Sequence, residues 1–196
     1  MNRKRAPEDD NRGNGWTRLR ARFLGDRRGS TAMEFAMLAL PFALLVFAIL
    51  ESCISFAGQE VMANITDDIA RKLRTGQLRP ADVSGTKLQD MICAKLEIIV
   101  ANKCPGLSVD LREYATFADA ATASYKIVNN QIVLTQGANS TAFGVSPGLA
   151  ETKNMLRVFY KWPVMTDFMS KSMTNMTDGT ALHFASVTWQ NEPFDN

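Results

Sequence analysis

Apolar residues run without a break from Phe35 to Leu50, and Ala32–Met33 carry the run back past a single carboxylate, Glu34. At 1.5 Å per residue, roughly 18–20 such residues cross most of a ~30 Å hydrocarbon core. A buried core helix of a soluble protein gives a similar run. This one, however, has no polar stripe and a block of arginines on one side only. The pattern predicts a membrane-spanning helix over residues 30–57. Pro41 lies inside it, which membrane helices tolerate better than soluble ones. Farther on, Phe56, Val61, Ile65, Ile69 and Leu73 recur at helical spacing, with Glu60, Asp67, Asp68, Arg71 and Lys72 interleaved. Gly76 is a usual helix stop. One helix from about Ala32 to Thr75 is expected, its first half in lipid and its second half on a domain.

The remaining pattern predicts a second helix that starts at Ser84 or Thr86 and takes in Leu88, Met91, Ile92 and Leu96. A strand is expected next, at Leu107–Tyr114. Met155–Trp162 alternates, with Leu156, Val158 and Tyr160 against Met155, Arg157 and Phe159, and Pro163 stops it. Ala181–Gln190 reads as another strand. Ile127–Leu134 reads as a small hairpin around Asn129–Asn130, and Gly137–Gly148 as a flexible loop. The fold class is α+β: a long N-terminal helix and a second helix on a small, mainly antiparallel sheet.

Charge changes this picture at the N-terminus. Residues 1–29 carry nine cations, from Arg3 to Arg28, against Glu8, Asp9, Asp10 and Asp26. So few apolar residues lie among them that no ordered core is expected there. The positive-inside rule keeps this leader in the cytoplasm and exports the chain beyond the span. The domains expected are thus a disordered leader over 1–29, the span over 30–57 and an exported domain over 58–196. A net charge of +2 gives no case for nucleic acid. The lone His183 excludes a His-rich metal site and reads as a strand residue with a satisfied ring. No Gly-rich phosphate loop, nucleophile elbow, metal-ligand spacing or carboxylate pair is present, so no enzyme, metal or cofactor is expected.

The exported compartment allows disulfides. Cys93 and Cys104 are expected to form one, the alternative being two free thiols on a longer helix. An unbroken helix would set their Cα atoms about 16 Å apart, whereas a disulfide allows at most about 7 Å. The bridge therefore requires the second helix to end near Leu96 and residues 97–103 to turn back. Cys53 reads as a small apolar packing residue.

An ionisable group inside a membrane segment is expensive and by default functional. Glu34 stands five residues after Gly29, with Phe35 opening the apolar run. Gly29, four residues, Glu34–Phe35 and a long apolar helix resemble the cleavage signal of type IV prepilins. The resemblance implies that a prepilin peptidase cuts between Gly29 and Ser30, and that Glu34 pairs with the new N-terminal amine of a neighbouring subunit. An ammonium and a carboxylate at membrane depth each cost free energy alone and offset one another when paired, which fixes helix register. Other common signals fit worse. Leu50-Glu51-Ser52-Cys53 is similar to a lipoprotein processing box except for Glu51, and Gly29-Ser30-Thr31 continues Arg27–Arg28 poorly as a twin-arginine signal.

Met33-Glu34-Phe35-Ala36 followed by Leu40-Pro41 is similar to the TadE-like family of tight-adherence (Tad) pilus biogenesis. So are Arg74-Thr75-Gly76-Gln77, Tyr160-Lys161-Trp162-Pro163 and Asn191-Glu192-Pro193-Phe194. Ser30 after the cut, where major pilins usually have Phe, and the 29-residue leader resemble a pseudopilin more than a main pilus subunit. The resemblance implies a pilin-like fold and a minor pilin or pseudopilin of a bacterial Tad (type IVc) pilus. It places the chain in the inner membrane as a single-pass protein, with its C-terminal domain periplasmic or in the pilus. The implied partners are a prepilin peptidase, other pilins and pseudopilins, the inner-membrane Tad assembly platform and membrane lipid. The competing reading is an unprocessed single-pass protein with a periplasmic binding or sensor domain.

Overall fold

A computed structural model describes residues 29–194, with the backbone only at Phe168. The leader expected over residues 1–28 lies outside the described residues. The described chain divides into two units between Phe47 and Ala48.

In the first unit the described chain is the opening of helix α1, Ser30–Arg74, which contains Pro41. An 18-residue window of α1 reaches a mean hydropathy of 2.3 with none of its residues buried, so it is no soluble core helix. Phe35, Met37 and Leu38 are each 73% exposed.

The second unit begins in the same helix. Here Glu51, Ser55, Gly58, Met62, Ile65, Thr66, Ile69, Ala70 and Leu73 are buried. Their spacing of three and four residues places them on one face. Arg71, Lys72 and Arg74 fall in the last turn, where cations suit the helix dipole. Gly76, at φ 71°, takes the left-handed conformation that ends the helix. After a short 3-10 turn, Pro80–Asp82, helix α2 spans Lys87–Leu96.

Beyond α2 the chain forms two sheets. The first has the order β5-β1-β6-β7, where β1 is Leu107–Tyr114, β5 Val145–Ser146, β6 Lys153–Pro163 and β7 Thr180–Gln190. The β1–β6 and β6–β7 pairs are antiparallel and β1–β5 is parallel. The second has the order β2-β3-β4: Ala123–Val128, Gln131–Gln136 and Asn139–Thr141. Its hairpin turns on Asn129 and Asn130, both at positive φ (48° and 63°), the conformation a two-residue type I′ turn needs. Two short helices complete the chain, α3 (Phe117–Ala121) between β1 and β2 and α4 (Asp167–Met173) between β6 and β7.

The architecture is α+β, with three layers in the second unit. Leu107, Val109, Leu111, Leu156, Val158, Tyr160 and Trp162 join the buried face of α1 and Leu88, Ile92 and Leu96 of α2 in one core. The opposite face of β6 is buried as well: Met155, Arg157 and Phe159 are all buried. The second sheet supplies the cover. The Tyr125 ring lies 5.1 Å from Phe159 and 4.9 Å from Phe184. The segment Gly137–Gly148, expected to be a flexible loop, instead holds β4 and β5. Each is so short that no alternation marks it.

Helix α2 ends at Leu96, and the backbone N–H groups of Ile99 and Val100 turn back to the Leu96 carbonyl. Cys93 and Cys104 are disulfide-bonded, with Cα atoms 5.7 Å apart. Closing a loop of about 11 residues this way adds roughly 2.5–3 kcal/mol by chain entropy. Cys53 is a free, exposed thiol, not the packing residue expected.

Candidate functional site

The sequence-derived processing and assembly residues stand together at the head of α1. Gly29 has no heavy atom within 4 Å of where a Cβ would lie. One turn of helix separates Ser30 from Glu34, and the Ser30 hydroxyl donates to Glu34 Oε1 at 3.1 Å. Phe35 points its ring outward. An exposed peptide after Gly29, a carboxylate one turn on and an apolar ring beside it are what this stretch offers chemically.

In the domain, α1 is held by groups that the pattern did not single out. Glu51, only 6% exposed, accepts from the backbone N–H of Met165, from the Thr166 hydroxyl and from the Thr166 N–H at 3.2 Å. Thr166 is the N-cap of α4, so the carboxylate serves orphan donors at a helix start. One turn along, the Ser55 hydroxyl meets His183 Nε2 at 3.0 Å. The His183 ring is stacked on Trp162 at 5.0 Å. Gly58 is the seat of that Trp: a Cβ there would lie 2.5 Å from the indole. Gln59 then grips the outer edge of β7, donating to the Phe184 carbonyl at 2.8 Å and accepting from its N–H at 3.3 Å. The amide thereby acts as a short strand partner and blunts that edge.

The other end of α1 is closed by the C-terminal segment. The Phe194 ring covers Gly76, where a Cβ would meet it at 2.8 Å. The Glu192 N–H donates to the Arg74 carbonyl at 2.9 Å, and Arg74 and Glu192 pair at 3.4 Å. Asn191 accepts from Trp189 Nε1 at 2.7 Å and donates to the carbonyls of Gly148 and Leu149. The segments Arg74–Gln77 and Asn191–Phe194, far apart in sequence, are thus one contact. Tyr160–Pro163 is a second contact on the same helix, through Trp162.

Burial holds the His183 imidazole below its usual 6.5, so the folded state keeps it neutral. As pH falls through the unfolded value, the unfolded chain takes up the proton first. The stability contribution is complete above about pH 6.5 and drains away as pH falls through the lowered folded value. Asp68 is lowered by its bonds to Lys95 and Lys72, and Asp178 to about 2, chiefly by the Thr180 hydroxyl. Their contributions are lost only at more acid pH. Urea unfolding of the detergent-solubilised chain should therefore show a lower midpoint at about pH 5 than at about pH 7.5. The gap should shrink in His183→Gln.

Among the described residues, Cys93, Glu97 and Cys104 cluster closely enough to hold a metal, but both sulfurs are spent in the disulfide. No curated protein and no solved structure matches the chain. Residues 29–71, from the glycine at the head of α1 to its last turn, match the model of the TadE-like protein family, and that stretch is what the chain shares with it.

Proposed function

We propose that the chain is a minor pilin or pseudopilin of a Tad-type pilus, cut by a prepilin peptidase between Gly29 and Ser30 and held in the membrane by α1. The TadE-like match supports a protein associated with the Tad pilus, and the single apolar helix supports a membrane anchor. The observation that carries the finer reading is the arrangement at the head of α1. A carboxylate sits one turn from the residue that would become the N-terminus, and the Ser30 hydroxyl already reaches it. A new ammonium at Ser30, on this chain or a neighbour, finds its partner at that position.

Within the span expected over residues 30–57, we take residues 30–50 as the lipid-embedded part; the contacts of Glu51 and Ser55 with groups of the domain support that reading. That leaves about 20 residues, roughly 30 Å of helix, which fits the hydrocarbon core. The basic leader stays cytoplasmic and the domain from Glu51 onward is periplasmic. Its partners are then the peptidase, other pilins and pseudopilins, and the Tad assembly platform of the inner membrane. Its role is structural.

Glu34→Ala removes a charge that is costly at membrane depth. Membrane integration should be unchanged or better, while pilus assembly should fail for want of the intersubunit pair. Fractionation and pilus counts on the same cells check this. Normal piliation in the variant sinks the pairing role.

A further inference from the structure

We propose that the end of the domain formed by Ile54, the disulfide-closed loop and Met165 rests in the interfacial layer of the bilayer. A groove of about 260 Å³ opens there between α1, the loop and the β6–α4 link, lined by Ile54, Ile99, Val100, Trp162, Pro163 and Met165. Two lining residues are open to solvent, Met165 at 71% and Ile54 at 48%, and Ile98, next to the lining residue Ile99 on the loop, is 85% exposed. Clustered apolar exposure of this kind marks an interaction surface.

The backbone that carries Ile98 and Met165 is held in place. The loop is tied at both ends by the Cys93–Cys104 bond, and the Lys103 N–H donates to Glu97 Oε1 at 2.9 Å across it. Met165 is tied to α1 through its backbone bond to Glu51. Ile98 is therefore presented in a fixed place.

Lipid is the occupant that the surrounding residues favour. Ile54 follows Leu50 by one helical turn, about 6 Å along the axis. Ile49 and Leu50 are 54% and 51% exposed, and Phe56 is 72% exposed. On the face that carries Leu50 and Ile54 the apolar surface thus continues from the end of the proposed span into the groove. This rests on the reading of residues 30–50 as lipid-embedded. Lys161, the charged residue that lines the groove, donates to the Asn130 carbonyl at 2.8 Å and pairs with Asp178 at 3.6 Å, and on the flanking segments exposed Lys103 and Lys171 are matched in number by exposed Glu97 and Asp167. The contact therefore depends on apolar insertion and not on anionic lipid.

The test uses the full chain in bilayers of phosphatidylethanolamine and phosphatidylglycerol, with photoreactive benzoylphenylalanine in place of Ile98, of Phe42 in the span, or of Ile127 on β2. After illumination, intact mass should show one-phospholipid adducts at Phe42 and Ile98 and none at Ile127. The Ile98 adduct should persist in bilayers without phosphatidylglycerol. Lipid adducts at Phe42 with none at Ile98, or with a second copy of the chain captured at Ile98, overturn the interfacial placement and leave the span standing. No lipid adduct at Phe42 overturns the span and this inference with it.

Discussion

Asp110→Ala should cost about 3–5 kcal/mol of domain stability, the range for removing one partner of a buried ion pair. Asp110 is fully buried and Arg157 is 3% exposed. One carboxylate oxygen accepts from Arg157 Nε and Nη2 at 3.2 and 2.7 Å. The other accepts from Arg112 Nε and Nη2 at 2.9 and 2.8 Å and from the Gly144 N–H at 3.2 Å. Arg157 also donates to the Ser124 carbonyl of β2 at 3.1 Å. A single side chain thus joins β1, β6 and the approach to β5, and through Arg157 it reaches the second sheet. Alanine leaves a guanidinium buried with no counter-charge. The combined change Asp110→Leu with Arg157→Met removes both charges and should recover much of the loss, since apolar replacement of a whole buried pair is often neutral or better. Urea unfolding of the solubilised chain, followed by tryptophan fluorescence, measures both. A loss under about 1 kcal/mol in the single variant would show that the pair behaves as if solvated.

Gly58→Leu should be destabilising at the upper end of the overpacking range, about 3 kcal/mol. Helix propensity works the other way, since Gly costs about 1 kcal/mol against a good helix former. The sign is therefore informative. A Cβ at position 58 would lie 2.5 Å from Trp162 Cζ3 and 2.9 Å from Cη2. The indole cannot move aside cheaply, because it is stacked on His183 and packed edge-on to Tyr160 at 6.2 Å. Gly58→Ala should already be destabilising despite its better propensity. The same unfolding assay checks this, and a raised midpoint in Gly58→Ala would contradict the close seating of Trp162 on α1.

Much of this arrangement is legible in the residues alone. The three-and-four spacing from Val61 to Leu73, with Gly76 after it, sets the far end of α1 to within a residue. Leu107–Tyr114, the core of β6, most of β7 and the Asn129–Asn130 turn are readable because their alternation is long or their turn chemistry specific. The second sheet is not legible as a layer. β2 is largely exposed, so its pattern carries little burial signal, and nothing local marks Arg157 on β6 as the partner of Asp110, which only the strand register places opposite it. Glu51 stands out only as a misfit in a lipoprotein-like box. Its partners are the backbone of Met165 and Thr166, and backbone donors leave no mark in side-chain identity. Gly58 is silent for a related reason: the need for glycine comes from Trp162, some hundred residues away. At the head of α1, Gly29, Ser30 and Glu34 are readable by spacing because they are local in sequence.

The most direct measurement of the central claim is the intact mass of the full-length chain recovered from membranes, with and without a prepilin peptidase, beside Gly29→Arg. With the peptidase, the wild-type protein should lose the mass of residues 1–29 and begin at Ser30, while Gly29→Arg should stay at precursor mass. Without the peptidase both should stay uncut. A wild-type chain that keeps its precursor mass in the presence of an active peptidase would contradict the reading of this protein as a processed pilin.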